Sequence, residues 1–228
     1  METRRIIIFT GLWPEGAGPD LLPETGQDDF IVCADGGYLV CESAGIKPNA
    51  VIGDFDSLSE KHRAGIESIG VECIVHPREK DDTDTMLCVK YGIELGFERF
   101  LIIGGIGGDF GHTMANVQAL SFLTDMERAA EIVTDKESIF MADGMTETLL
   151  FEAKPPAPVE FAGRKGAGFS VLSYTERCSG VCVKNAKYEL DDAVLTQSYP
   201  IGVSNEFINS EPVIVSVRFG RLLLIADR

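Results

Sequence analysis

Basic residues are scarce in this chain: 20 Lys and Arg stand against 36 Asp and Glu, leaving a formal net charge of -16. Such a surface repels a nucleic-acid backbone and an anionic lipid layer, so neither is expected as a partner. A phosphorylated ligand needs a divalent cation or a local cluster of Lys and Arg to hold it. A cationic ligand is drawn in by the same field. Long apolar runs are missing too, and no stretch approaches the length of a membrane span. Met1-Glu2-Thr3-Arg4-Arg5 leads into only Ile6–Phe9, which reads as a buried strand and not as a signal peptide. Histidine is limited to 3 residues and cysteine to 6. Cys33, Cys41, Cys73, Cys88, Cys178 and Cys182 are scattered in apolar contexts, and the closest pair, Cys178 and Cys182, is poorly spaced for zinc. They read as reduced packing residues, with the cytoplasm as the expected compartment. There is no Gly-x-Ser-x-Gly elbow and no suggestive Cys/His spacing, which argues against acyl transfer.

What is present is 228 residues, 45% of them hydrophobic, enough for one large domain or two modest ones. The first part repeats a short apolar run, a turn rich in Gly or Asp, and a helical stretch. The runs are Ile6–Phe9, Phe30–Cys33, Ala50–Ile52, Val71–Val75, Phe100–Ile103 and Glu131–Val133. They do not alternate, as expected of parallel strands covered on both faces. Helices are expected near Tyr38–Ala44, Ser59–Ser68, Thr83–Leu95 and Thr113–Arg128, with apolar stripes at Met86, Val89, Ile93 and at Val117, Leu120, Leu123. This pattern predicts an α/β domain over residues 1–137, an open, mostly parallel Rossmann-like sheet with helices on both faces. Beyond it, strand-like runs at Ser138–Ala142, Glu147–Phe151, Phe169–Ser173, Val181–Lys184, Val213–Phe219 and Leu222–Ala226 predict a small antiparallel β-sandwich domain over 138–228. Lys154-Pro155-Pro156-Ala157-Pro158 fits only a loop or an edge.

Ligands of open α/β sheets bind outside the carboxyl ends of the strands, and four stretches rich in Asp or Gly fall there. Asp35 with Gly36 and Gly37 follows the second strand. Asp54 and Asp56, two residues apart in an extended segment, point to one side and can share a hard cation. In Arg78–Asp84, Asp81 or Asp82 is placed to cap a helix, Asp84 in its first turn reaches toward the same metal, and Lys80 offers a point charge to phosphate oxygens. Gly104, Gly105, Gly107 and Gly108 let several N–H groups face an anion beside a helix start, with His112 as a hydrogen-bonding residue there. Carboxylates with Mg2+ and a glycine-rich cradle suit phosphoryl or pyrophosphoryl transfer. One other reading stays open at this point, an Asp-x-Asp phosphohydrolase using Asp54 and Asp56; a second, a sensor that binds its ligand or a nucleotide without turnover, is set beside it.

Ala34-Asp35-Gly36-Gly37, Pro48–Ser57, Lys80-Asp81-Asp82-Thr83-Asp84, Gly104–Gly108 with His112 and Asn116, and Gly202-Val203-Ser204-Asn205-Glu206 together, in this order, resemble the thiamine pyrophosphokinase family. The resemblance covers most of the chain. It implies a homodimer with thiamine sites at the interface, and diphosphate transfer from Mg-ATP to the thiamine hydroxyl with AMP leaving. It implies Asp54, Asp56 and Asp84 as metal ligands, with Asp35 and Asp81 as further acidic members. Lys80, Thr83, the four glycines, His112 and Asn116 fall on the ATP side, and Ser204 and Asn205 on the thiamine pyrimidine. One departure stands out. Where the family carries Arg-x-Asp-His after the paired glycines, this chain has Asp109-Phe110-Gly111-His112, so a guanidinium is missing from the nucleotide side.

Overall fold

The structure, a computed structural model, describes residues 4–13, 22, 24–144 and 157–228. The expected strand Glu147–Phe151 and most of the proline run lie outside the described residues. The chain divides into two compact units, Met1–Asp135 and Lys136–Arg228.

In the first unit the short apolar runs become strands β1 (Arg5–Phe9), β2 (Phe30–Ala34), β3 (Ala50–Gly53), β4 (Glu72–Val75), β5 (Arg99–Ile103) and β6 (Ala129–Val133). They lie in the order β6-β5-β1-β2-β3-β4. Every pair is parallel. Helices α1 (Gly37–Ser43), α2 (Glu60–Ser68), α3 (Asp84–Glu94) and α4 (Phe110–Asp125) fall between them. Ile7 and Phe9 pack on Tyr38 and Cys41 of α1 and near Ile66 of α2. Ile6 and Phe100 face the other way, against α3, where a side chain at Gly92 would come within 2.7 Å of Phe100 and 2.9 Å of Ile6. The sheet is therefore covered on both sides, and its central residues Ile6, Ile7, Ile8 and Ile102 are 0% exposed. Each such burial contributes about 1.5–3 kcal/mol before entropy is counted.

Three local expectations shift. The run Val71–Val75 narrows to an edge strand, Glu72–Val75, mostly exposed with Val75 at 72%, while Val71 before it is buried. The buried face of α3 is Thr85, Cys88, Val89 and Gly92, so Met86 and Ile93 flank the stripe instead of lining it. The cap of α3 is neither Asp81 nor Asp82: the Thr83 hydroxyl accepts from the Met86 N–H at 3.2 Å, while Asp82 pairs with Lys90 at 2.5 Å. Replacing Thr83 with Ala is expected to cost about 1 kcal/mol of stability, read as a lower denaturation midpoint at unchanged slope. A stability equal to wild type would remove the cap from the account.

The second unit has two antiparallel sheets. One is β12 (Asn205–Glu206), β9 (Gly168–Ser173), β14 (Arg221–Asp227) and β7 (Glu137–Asp143); the other is β11 (Leu190–Thr196), β10 (Arg177–Lys184), β13 (Val213–Ser216) and β8 (Val159–Phe161). Leu222 and Leu224 of one sheet share a core with Val181, Val183, Val213 and Val215 of the other. The expected strand Val213–Phe219 ends at Ser216, and Phe219 instead makes an isolated bridge to Ser179. Strands β8, β11 and β12 are not among the expected runs: β8 (Val-Glu-Phe) alternates but is only three residues long, β12 has two, and β11 shows no clear apolar alternation. β11 is an outer strand of its sheet, with Asp191, Asp192 and Val194 exposed and Leu195 buried.

Candidate active site

The carboxyl ends of β2 and β3 bring Asp35, Asp54 and Asp56 together. One oxygen from each carboxylate lies within 4.8 Å of the others. The convergence does not come from an extended Asp-x-Asp segment. Phe55 has φ 62°, a left-handed conformation uncommon for a bulky residue, and its ring is 6% exposed. The Arg63 guanidinium of α2 donates to the Phe55 and Leu58 carbonyls and holds this turn. The Asp54 carboxylate accepts from the Asp56 N–H at 3.0 Å. That bond, helped by Lys80 and opposed by burial, lowers the Asp54 pKa. Gly53 permits the close approach, since a Cβ there would sit 2.8 Å from the Asp35 Cβ.

Asp35 is 6% exposed, and its Oδ1 has no hydrogen-bond partner. Burial pushes its pKa up, a hydrogen bond with Ser57 resists, and the charges of Asp84 and Asp54 push it further up. Asp84 stands beside this group through Lys80, whose ammonium is 2.7 Å from Asp84 and 3.8 Å from Asp54. Burial works against the Lys80 charge, but Asp84, Asp54 and Asp35 outweigh it and its pKa is raised. Arg78 reaches Asp56 at 3.6 Å from an exposed position. The donor set is oxygen only, closely spaced, and includes a buried carboxylate oxygen with nothing to bind. It fits a hard divalent cation such as Mg2+, whose ligand oxygens lie about 2.1 Å from the metal. Asp35 joins Asp54 and Asp56 in this group, and Asp84, whose buried Oδ1 lies 2.7 Å from the Lys80 ammonium, stands next to it.

A cavity of about 360 Å³ opens beside Asp35 and Asp84, lined further by Ser57, Thr83, Asp109, His112 and Asn116. Thr10, Gly11 and Leu12, just past β1, complete it. Sequence reasoning missed this fifth strand end, although the strand-end rule applied to β1 would have found it. Asp81 is not brought in. It is exposed and lines a separate depression with Met86, Ala115 and Phe122.

The glycine run differs from the expected amide cradle. Gly104 N–H donates to the Val133 carbonyl at 2.7 Å, and Gly105 N–H to the Leu12 carbonyl at 3.3 Å. Gly107 N–H donates to the Thr113 hydroxyl at 2.9 Å. Those three donors are already committed inside the protein. The buried Asn116 amide donates to the Gly105 carbonyl at 2.7 Å and so braces the loop. Helix α4 begins at Phe110, earlier than expected, because the Asp109 carboxylate caps it by accepting from the His112 N–H at 3.1 Å. The residue standing in the arginine position is thus a helix cap.

In the second unit, Ser204 is exposed with φ 63°, and its N–H donates to the Ser170 hydroxyl at 3.3 Å. Asn205 is 8% exposed, and its amide holds both the N–H and the carbonyl of Tyr188, at 3.0 and 2.8 Å. Its side chain positions the strand next to Ser204.

Two family descriptions match the chain: thiamin pyrophosphokinase, catalytic domain, over residues 24–134, and thiamin pyrophosphokinase, vitamin B1 binding domain, over 159–222. A thiamine pyrophosphokinase of Bacillus subtilis is 27% identical over 198 residues, 86% of this chain and 87% of that protein. The crystal structure of thiamine pyrophosphokinase from Bacillus subtilis superposes with a TM-score of 0.81 at 25% identity, covering 98% of each chain. That of yeast thiamin pyrophosphokinase, at 15% identity, shares the fold with a TM-score of 0.76 over 100% of this chain and 87% of its own. Strand-end carboxylates, the cavity beside them, and both matched regions agree, and the chain belongs to the thiamin pyrophosphokinase family.

Proposed function

We propose that this protein transfers a diphosphate from ATP to the hydroxyl of thiamine, giving thiamine diphosphate and AMP. The observation that carries the reading is the convergence of Asp35, Asp54 and Asp56 beside a cavity at the carboxyl ends of parallel strands. In the reaction the thiamine oxygen bonds to the β-phosphorus, the bond between the α,β-bridging oxygen and that phosphorus breaks, and AMP departs. Mg2+ held by Asp35, Asp54 and Asp56 would neutralise charge on the polyphosphate. Lys80 stands between Asp54 and Asp84, close enough to present its ammonium to the phosphates while staying anchored. Asp109 supplies no cation, so in this chain charge neutralisation falls mainly on the metal and Lys80.

Exposed Ser204 offers a hydroxyl to thiamine. The apolar residues just before it, Tyr199, Ile201 and Val203, are 68%, 53% and 50% exposed. A patch of that kind supports pairing with a second copy of the chain, with thiamine bound at the contact. No helix among the described residues is long and apolar enough to cross a membrane. The six free cysteines are in keeping with a reducing, cytoplasmic setting.

Mixing the protein with Mg-ATP and thiamine is expected to yield AMP and thiamine diphosphate in equal amounts. Release of inorganic phosphate from simple esters, without AMP, would favour a phosphohydrolase instead. The metal assignment has a separate test. Asn tolerates the left-handed backbone at position 35 (φ 42°) and removes the buried charge. Asp35→Asn in EDTA is therefore expected to be more stable than wild type by about 1 kcal/mol at pH 7. The wild-type pKa is raised in the fold, so the advantage grows as pH rises through the ordinary value of 3.8 and vanishes below it. The variant should also lose the Mg2+-dependent rise in melting temperature. A variant that still gains stability from Mg2+ as wild type does would remove Asp35 from the ligand set.

A further inference from the structure

At the opposite end of the sheet, the amino ends of β1, β2 and β5 enclose a second cavity, of about 440 Å³, into which Arg4, Arg5 and Arg99 converge. Five residues of strand separate it from the carboxylates, roughly 16 Å at the usual rise. Guanidinium groups gathering in one cleft are unexpected in a chain of net charge -16. Arg5 and Arg99 are register partners on neighbouring parallel strands. Like charges side by side on a sheet are unfavourable unless an anion lies between them.

Asp29 answers only one of them. It takes Arg5 in a two-pronged pair at 3.0 and 2.6 Å and accepts from the Gly26 N–H at 2.8 Å. The pKa of Asp29 is lowered, first by Arg5 and more weakly by Arg99. Glu131 adds its field to Arg5. Arg99 has no carboxylate within ion-pair distance among the described residues, and neither has Arg4. The Arg4 guanidinium lies over the Phe97 ring, 5.0 Å from its centroid, and Arg4 is exposed. Asp28 is the remaining acidic residue lining the cleft, so three guanidiniums and two carboxylates line it, with Glu131 acting on Arg5 from β6. Planar guanidinium forks of this kind match the oxygens of phosphate.

We propose that this cleft binds a small phosphate-bearing anion, with Arg4 and Arg99 as the ligand-facing groups and the Arg5–Asp29 pair as their frame. The site lies apart from the reacting centre and is independent of the metal.

The test is calorimetric titration with inorganic diphosphate at low ionic strength in EDTA, where the acidic catalytic cluster has no cation to recruit a polyanion. Wild type is expected to bind, and Arg4→Gln/Arg99→Gln to bind at least tenfold more weakly. Arg99→Lys, keeping the charge but not the fork, should fall between them, and Asp54→Asn should bind as wild type does. Both arginines are exposed, so melting temperature and AMP formation of the double variant should stay near wild type. Failure of wild type to bind, equal binding by the double variant, or loss of binding in Asp54→Asn would overturn the proposal. Citrate binding as tightly as diphosphate would overturn the phosphate class.

Discussion

Asp54→Asn is expected to lower AMP formation by at least about 10²–10³-fold while leaving the fold intact. Asparagine keeps the side-chain oxygen that accepts from the Asp56 N–H, so the left-handed turn at Phe55 retains its local bond. Lys80 keeps its 2.7 Å contact with Asp84. What is removed is the negative charge, and with it most of the attraction for a cation that must neutralise a triphosphate. The measurement is turnover at saturating Mg-ATP and thiamine, with a denaturation curve as control for the fold. Turnover within threefold of wild type would show that the metal is held elsewhere. A parallel rise in the Mg2+ concentration needed for half-maximal rate would tie the loss to the ion and not to substrate binding.

Gly104→Ala is expected to destabilise the first unit by at least about 3 kcal/mol, while Gly107→Ala costs about 1–2 kcal/mol. Both residues have positive φ, at 77° and 108°, so each alanine carries backbone strain. Only at position 104 does the added methyl collide with something: the Leu12 carbonyl oxygen at 2.0 Å and the Thr10 hydroxyl at 2.9 Å. At 107 nothing lies within 4 Å. The Leu12 carbonyl must move, and the Gly105 N–H that donates to it goes with it. At roughly 2–4 °C per kcal/mol for a chain of this size, the melting temperature of Gly104→Ala should fall by about 6–12 °C. Equal losses in the two variants would contradict the view that the run packs tightly against the end of β1. A Gly107→Ala enzyme with normal stability but impaired ATP use would instead assign that position to the nucleotide.

These two variants mark where sequence reading succeeds and where it stops. Short apolar runs without alternation predicted buried parallel strands, and β1, β2, β3 and β5 are those strands. The same signal overrated Val71–Val75, because an apolar run does not say whether a strand is central or at an edge. β11 is not legible because an outer strand that carries Asp191 and Asp192 next to Ala193 and Val194 has no apolar alternation. The helix-start chemistry was legible as a class but not as an assignment: Asp81, Asp82 and Thr83 are all competent caps, and backbone entry angle selects Thr83. In the same way, glycines in a strand-to-helix turn suit either an amide cradle or close packing, and the hydrogen bonds of Gly104, Gly105 and Gly107 favour packing.

From residue types and their order alone came an acidic α/β domain followed by a β-sandwich, with carboxylates waiting at successive strand ends. Those properties follow from neighbours in the chain, which set periodicity, turn chemistry and charge. Which carboxylates meet was decided only in three dimensions, where strand register and the left-handed Phe55 set Asp35 beside Asp54 and Asp56, turn Asp81 away, and place Asp84 next to them across Lys80. Meeting distances between side chains from separate crossovers depend on how the strands align and how the loops bend, and no local pattern encodes them.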